Sequence, residues 1–325
     1  QIPLFRNLVI GIILGAIVIG NTAYEGGNIG GATLGLEAIF GSGYIAYYPF
    51  IVGAIAFCLL YFGNYKILEK VLVTLVIIMS LSFLLTAIIT KPNILEVLKG
   101  MLVPSMPENS IFTLIALVGT TVVPYNLFLH ASLVSEKWKS KEDLKAARKD
   151  TFISITLGGF VSMAIIIAAT TIPKGDVSSV LDLAKGLEPL YGNGARYFMG
   201  IGLFAAGITS AITAPLAAAY VVNSCFGWKA GLKDLKFKLV WMVIIVLGVL
   251  SLTFGITPLE IIQFAQVTNG ILLPVIAIFL LWVANKVALM GSYKNSRLQN
   301  VLAIFIILLV IVLGMKSILK VIGLF

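Results

Sequence analysis

Charged residues are scarce in this chain of 325 residues. They make up 11% of the sequence, against 59% hydrophobic residues, and the mean hydropathy is +1.05. These values lie outside the range of a soluble globular domain. The composition therefore excludes a soluble protein and predicts an integral membrane protein whose main partner is the lipid bilayer.

Histidine and cysteine are also rare. The chain has one histidine, His130, and two cysteines, Cys58 and Cys225, which lie in or beside apolar segments without CxxC spacing. This pattern predicts neither a disulfide framework nor a thiolate metal site. One histidine cannot build a histidine-rich metal centre, and no HExxH or GxSxG motif is present. We therefore expect neither an enzyme nor a bound cofactor.

The net charge of +9 does not indicate a nucleic-acid partner. Lys and Arg lie between apolar segments, where they fix the orientation of a membrane protein against an anionic leaflet. We expect no nucleic acid as partner, and no obligate protein partner can be inferred.

Nine long apolar segments organise the chain. In hydrocarbon the backbone must bond internally, so segments of about 20 apolar residues predict spanning helices. Arg6 is followed by an apolar stretch too long for a cleavable signal peptide. The segments lie near 8–38, 44–62, 67–90, 111–134, 151–172, 195–222, 237–255, 259–285 and 299–322.

The basic residues between these segments predict the orientation. The connections between segments fall alternately on two sides of the membrane. The first side carries more Lys and Arg than the second, so the first side is predicted to be cytoplasmic. We expect a cell (plasma or inner) membrane protein with its amino end inside and its carboxyl end outside. The first side holds Arg6, Lys66, Lys70, Lys137, Lys139, Lys141, Lys145, Arg148, Lys149, Lys229, Lys233, Lys236, Lys238, Lys286, Lys294 and Arg297. The second holds Lys91, Lys99, Lys174, Lys185, Arg196, Lys316 and Lys320.

The fourth segment contains a break in mid-membrane. Pro124 cannot donate to the helix ladder and disfavours helical geometry at Val123, so nearby carbonyls, including that of Thr120, lose their partners. Such oxygens can coordinate a cation, although an ordinary proline kink is equally compatible. Asn126 and His130 follow one turn apart and share a face, predicted to be the bundle interior. His130 is a proton-relay candidate or a packing residue.

Two further segments carry polar residues at membrane depth, where polar groups are costly and often functional. Gln266 and Asn269 lie in the eighth segment, where Gln266 can offer an oxygen to an ion or bond another helix. Glu25 and Asn28 lie in the first segment among glycines that permit close helix contact. Glu25 needs a proton or a cation as partner.

The order of these motifs resembles the Nramp (SLC11) divalent-metal transporters. GTTVVPYNLFLH, at 119–130, is similar to the broken sixth helix of that family, whose core is M-P-H-N followed by a second His. NTAYEGGNIGGATLGL, at 21–36, resembles the third helix, particularly of the divergent Nramp-related magnesium-transporter-like branch. AAGITSAITAPLAAAYVV, at 205–222, resembles the eighth helix, and AQV, at 265–267, the tenth.

The resemblance implies an all-α fold of LeuT type with inverted repeats and about nine transmembrane helices, family helices three to eleven. The whole of 1–325 would be one transporter domain, with a partial first repeat at 1–92, a second repeat at 111–285 and an additional helix at 299–322. The family's D-P-G-N motif, which supplies an Asp and an Asn to the metal, is absent from this sequence.

The departures from the family pattern bear on the substrate. Val123 stands at the position of the metal-contacting Met, so no thioether is available. Oxygen-only surroundings suit harder ions such as Mg²⁺ and Mn²⁺. Tyr125 replaces the first His, and Glu25 with Asn28 replaces an acidic pair, which removes groups associated with proton transfer.

We therefore predict a divalent-cation transporter for Mg²⁺, Mn²⁺ or both, working by alternating access with weak or no proton coupling. By resemblance, the metal residues are Thr120, Val123, Asn126 and Gln266. The pathway or proton-relay candidates are Glu25, Asn28, Tyr125, His130 and Asn269. The alternatives are an ordinary proton-coupled Mn²⁺/Fe²⁺ symporter, a transporter of a different solute, or a non-transporting scaffold on the same fold.

Overall fold

The regular structure is entirely helical wherever the computed structural model describes the chain. The described residues are 3–62, 65–103, 105, 110, 113–114, 117, 124–170, 172, 182, 184–228 and 230–321. Ten helices of nine residues or more occur among them, joined by short helical turns. In chain order they are α1 (Pro3–Phe40), α2 (Tyr48–Phe62), α3 (Tyr65–Ile89), α4 (Ile94–Leu102), α5 (Pro124–Lys137), α6 (Leu144–Ala169), α7 (Ala195–Cys225), α8 (Leu235–Ser251), α9 (Pro258–Ala284) and α10 (Arg297–Val321).

Helix α7 lies against α1 over much of its length, and small residues set the distance between them. A Cβ added to Gly35 would lie 2.5 Å from the backbone nitrogen of Phe204, and one added to Gly207 would lie 2.5 Å from that of Ala32. Real side chains do not fit at that separation, so the two backbones touch directly. This is the close contact that small residues allow between membrane helices.

Helices α2 and α8 complete the main core around Trp241. The Trp241 ring is buried and meets Phe57 of α2 edge to face, with 5.3 Å between the ring centroids. Phe237, one turn earlier on α8, is buried and meets Tyr220 of α7 in the same manner, at 5.2 Å. Aromatic pairs of this geometry add to the energy of burial. Helices α1, α2, α7 and α8 therefore share one apolar core.

A second, smaller core joins α3 and α6 to the start of α7. Phe83 of α3, Ala168 of α6 and Met199 of α7 are buried in it. A hydrogen bond of 2.7 Å between the hydroxyls of Ser82 and Tyr191 ties α3 to the short helical turn at Glu188–Tyr191.

Two stretches of the described chain are helical, long and apolar enough to cross a membrane, Leu144–Ala169 and Lys185–Cys225. Two further pairs of helices meet the same test if each pair is counted as one bent span. They are Val76–Ile89 with Ile94–Leu102, bent by 117°, and Leu273–Ala284 with Val287–Tyr293, bent by 66°. Apolar side chains cover the outside of α6, where Phe152 is 72% exposed. Such a surface suits lipid rather than water.

Eight of the nine predicted segments coincide with helices, and the fourth, 111–134, is helical in its described part from Pro124 onward, but several boundaries differ. Helix α6 begins at Leu144 rather than near 151, because the charged residues before the apolar segment are also helical. Helix α5 is described from Pro124 onward, and the predicted break at 119–123 lies outside the described residues. Helix α4 was not predicted; the Asn93 side chain caps it by accepting from the Leu95 N–H at 3.0 Å.

Candidate functional site

The polar face of α1 is the best-defined part of the candidate site. Asn21, Glu25 and Asn28 are spaced by four and three residues, so they lie on one side of the helix. Glu25 is completely buried and Asn21 is 1% exposed. The Asn28 Nδ2 donates a hydrogen bond to the Glu25 Oε2 at 3.3 Å.

Helix α8 leaves space for the Glu25 side chain. A Cβ added to Gly248 would lie 2.5 Å from the Glu25 Cγ, so only glycine fits opposite the carboxyl group. Ser251, one turn later on α8, donates its hydroxyl to the carbonyl of Gly248 at 2.7 Å, so it is not a partner for the acid. The acid is therefore held between two helices against backbone rather than against a base.

Several atoms on this face lack partners. Glu25 Oε1 and both side-chain polar atoms of Asn21 are buried without a hydrogen bond to the described residues. The described part of the chain contains two ion pairs, Lys137–Asp150 and Lys185–Asp182, and Glu25 is in neither. A buried carboxylate without a base is costly, so Glu25 requires a proton or a cation.

Beside this face lies a cavity of about 210 Å³ enclosed by α1, α7 and α9. Gly31 of α1 borders it, and a Cβ added there would meet nothing within 4 Å. The side chains of Asn28 and Ser210 bring polar groups to it, and Asn28 connects it to Glu25. The cavity is lined by Tyr24, Gly27, Asn28, Gly31, Leu203, Ala206, Gly207, Ser210, Ile262 and Ala265.

The metal residues predicted by resemblance lie on elements that adjoin this cavity or outside the described chain. Thr120 and Val123 lie outside the described residues. Asn126 and Tyr125 belong to the first turn of α5, and Gln266 and Asn269 to α9; their side chains lie outside the described part.

The backbones of α5 and α9 approach the polar face of α1. Ala265, the neighbour of Gln266, is buried and lines the cavity. Leu129 of α5 is buried against Ala214 and Ala217 of α7, in a cluster that includes Tyr24 of α1. The structure thus brings α1, α5, α7 and α9 together in one region.

The structure differs from the sequence-based expectation at His130. Its side chain is exposed rather than inside the bundle, and its Nε2 lies 3.5 Å from the Thr151 Oγ1 of α6. The shared face of Asn126 and His130 was expected to be interior, but spacing alone does not say which neighbour a face meets.

Asn21 and Ser210 belong to the site although the sequence did not make them candidates. The signal for Asn21 was its place one turn before Glu25, on the same face. Ser210 carried a weaker signal, because the polar residues around it are mostly satisfied locally: Thr209 and Thr213 donate to carbonyls one turn back. Among the described residues no group of three or more His, Cys, Asp or Glu side chains could hold a metal ion.

Comparisons with known proteins identify the family of this chain. The family model described as natural resistance-associated macrophage protein-like, Nramp, matches residues 4–320. A divalent metal cation transporter MntH of Caldanaerobacter subterraneus subsp. tengcongensis is 26% identical over 296 residues, covering 87% of this chain and 69% of that protein. A metal transporter nramp1 homolog of Dictyostelium discoideum is 28% identical, covering 97% of this chain and 61% of that protein.

Solved structures agree on the fold. The manganese transporter of Eremococcus coleocola, in complex with an aromatic bis-isothiourea substituted compound, superimposes with a TM-score of 0.73 at 18% identity, covering 97% of this chain and 72% of that one. A mutant of the same transporter gives a TM-score of 0.74 at 19% identity, covering 97% and 73%. The architecture is the all-α LeuT type that the resemblance implies. Because the family model matches nearly the whole sequence, the chain belongs to the Nramp family.

Proposed function

We propose that this protein transports divalent cations across a membrane by alternating access, with Mg²⁺ and Mn²⁺ as substrates. The observation that carries the proposal is family membership over residues 4–320, with relatives named as divalent metal cation transporters. The family consists of metal transporters, so the same observation supports a transporter rather than an enzyme.

The metal residues in this proposal are Thr120, Val123, Asn126 and Gln266. Their support is the resemblance of the sequence at 119–130 to the broken sixth helix of the family, and the position of Ala265, the chain neighbour of Gln266, at the cavity. A proline break in a membrane helix would leave backbone carbonyls free for an ion. The family's D-P-G-N motif is not in this sequence, so the proposal names no carboxylate among the metal residues.

The proposed ion preference follows from Val123. The family has a Met at this position, and soft sulfur favours transition metals. Oxygen-only ligands favour harder ions, and Mg²⁺ keeps several of its waters in a roomy site. We therefore place the chain in the divergent magnesium-transporter-like branch and align α1 with the family's third helix, on the sequence at 21–36.

Weak or absent proton coupling is the second part of the proposal. Asn28 stands where the family has an acid, and Tyr125 where it has a His. Glu25 remains, with an amide donor from Asn28 as partner and no ion pair among the described residues.

One observation favours the alternative, an ordinary proton-coupled Mn²⁺ or Fe²⁺ symporter. Glu25 is completely buried with one oxygen unpartnered, and such a carboxyl can hold a proton that leaves during transport. Asn269 on α9 and His130 on α5 are the other relay candidates.

Mn²⁺ influx into proteoliposomes that contain the full-length protein tests both readings, with Mg²⁺ as competitor and a pH dye inside. Influx blocked by Mg²⁺ without acidification supports an uncoupled transporter of hard ions. Influx indifferent to Mg²⁺ and accompanied by protons supports the symporter. Absence of influx contradicts both and favours another solute or a scaffold role.

A further inference from the structure

A second cavity lies on the outer surface of the helix bundle. The residues that line it are more apolar than those that line the first cavity. It is an open groove of about 570 Å³ between the first half of α1, the end of α7 and the start of α8. Its walls are apolar, and Lys236 is the one charged residue among those that line it. This surface, called the groove, is formed by Leu14, Gly15, Val18, Val222, Phe226, Trp228, Lys236, Leu239, Val240, Val243 and Ile244.

The body of the groove faces outward. Leu239 and Val243 of α8 are about half exposed, at 49% and 52%. Gly15 of α1 has nothing within 4 Å of an added Cβ, so a small residue deepens the groove there. In a membrane this surface meets lipid chains, and its concave apolar shape fits an acyl chain.

The mouth of the groove is a structured turn with a positive charge. Asn223 closes the turn by donating to the Ala230 carbonyl at 3.1 Å and accepting from the Ala230 N–H at 3.3 Å. The closed turn presents Trp228, whose ring stacks on Phe226 with 5.1 Å between centroids. The Lys236 Nζ lies 5.7 Å from the centre of the Trp228 ring.

Lys236 has no carboxylate partner among the described residues. The nearest acid in sequence, Asp234, accepts from the Gly231 N–H at 2.6 Å and so serves its own turn. Trp and Lys side chains are typical of the level of the headgroups at a membrane surface. Lys233 adds charge of the same sign nearby in the sequence.

An apolar groove bordered by a cation that has no carboxylate partner among the described residues is complementary to an amphiphile with an anionic head. We propose that the groove binds one anionic glycerophospholipid, with an acyl chain between α1 and α8 and the phosphate at Lys236 beside Trp228. By the orientation that the basic residues predict, this lipid belongs to the cytoplasmic leaflet, where anionic lipids attract basic residues.

Native mass spectrometry of the purified full-length protein, titrated with phosphatidylglycerol or phosphatidylcholine of identical chains, tests the proposal. We expect tighter retention of phosphatidylglycerol. Lys236→Ala should lower its affinity about fivefold and leave that of phosphatidylcholine unchanged. The matched control is Lys238→Ala, whose ammonium lies 4.0 Å from the centre of the Tyr61 ring and outside the groove.

A second pair of variants tests the acyl channel. Val243→Trp fills the groove and should weaken both lipids, whereas Val246→Trp, on an equally exposed residue of α8 outside the groove, should weaken neither. Glycerol 3-phosphate should not compete, because it lacks the acyl chain.

Three results would overturn the proposal. The first is full-length protein that shows no preference for phosphatidylglycerol over phosphatidylcholine. The second is equal effects of Lys236→Ala and Lys238→Ala. The third is competition by glycerol 3-phosphate, which would indicate a phosphate site instead of a lipid site.

Discussion

At the residue scale, Glu25 has the most demanding environment in the described chain. It lies against the backbone of Gly248, accepts one amide hydrogen bond from Asn28, and keeps one oxygen without a partner. A carboxylate there would face a large desolvation cost, so the neutral form or a cation-bound form is favoured. Whether that proton moves during transport separates the two functional readings.

Glu25→Gln should therefore fold normally. The glutamine keeps an acceptor for Asn28 and carries no charge, so the free energy of unfolding should change by about 1 kcal/mol or less. In the uncoupled reading, Mn²⁺ influx should keep its rate within about threefold and its dependence on pH. Thermal melting in detergent and the proteoliposome assay measure these quantities.

The control for this variant is Glu37→Gln, at a half-buried residue near the end of the same helix. Loss of pH dependence in Glu25→Gln but not in Glu37→Gln would contradict weak coupling and support the symporter.

Val123→Met tests the proposed ion preference. A thioether at this position should favour Mn²⁺ over Mg²⁺, so the Mg²⁺ concentration that halves Mn²⁺ influx should rise about tenfold. Val122→Met places the same side chain one residue earlier and should leave the competition unchanged. An equal shift in both variants would show that position 123 does not face the ion.

At the scale of helices, the direct contact between α1 and α7 depends on single glycines. Gly207→Ala should destabilise the protein by about 1–3 kcal/mol, because its Cβ would meet the Ala32 nitrogen at 2.5 Å. Gly31→Ala is the matched control, since its Cβ enters the cavity without a contact within 4 Å. Melting temperatures in detergent compare the two, and similar values would contradict the close packing.

The start of α9 is stabilised by reciprocal hydrogen bonds. The Thr257 Oγ1 accepts from the Glu260 N–H at 3.3 Å, and the Glu260 carboxylate accepts from the Thr257 N–H at 2.9 Å. Thr257→Ala should cost about 1 kcal/mol of stability. Thr253→Ala, which removes a hydroxyl bonded to the Leu250 carbonyl, should cost less. Equal losses of melting temperature would argue against the cap.

The sequence predicts where the helices lie better than it predicts which helices pack against each other. Apolar runs suffice for the eight segments that the structure describes over most of their length. The spacing of Glu25 and Asn28 allows them to share one face, whereas Asn21 was not among the predicted site residues. Helix α4 was missed because it has nine residues, too few to span, although Asn93 is a recognisable cap. The pairing of Glu25 with Gly248 could not be predicted, because periodicity identifies a face and not the helix that covers it.

At the scale of the whole molecule, the predicted orientation is testable by cysteine labelling. Ser140→Cys should react with a membrane-impermeant maleimide only from the cytoplasmic side, and Asn193→Cys only from outside. Both residues are exposed in connections between helices. Free Cys58 and Cys225 are first replaced by alanine. Labelling of both cysteines from the same side would contradict the predicted orientation. The repeat boundaries at 1–92 and 111–285 remain predictions.

The glycine contact between α1 and α7 also restricts motion. Turning either helix about its axis, or sliding it by one residue, would replace a glycine at the crossing by a side chain for which there is no space. Packed interfaces of this kind shift between discrete arrangements or stay fixed. Helices α1 and α7 should therefore move as one rigid body in any conformational change of the protein.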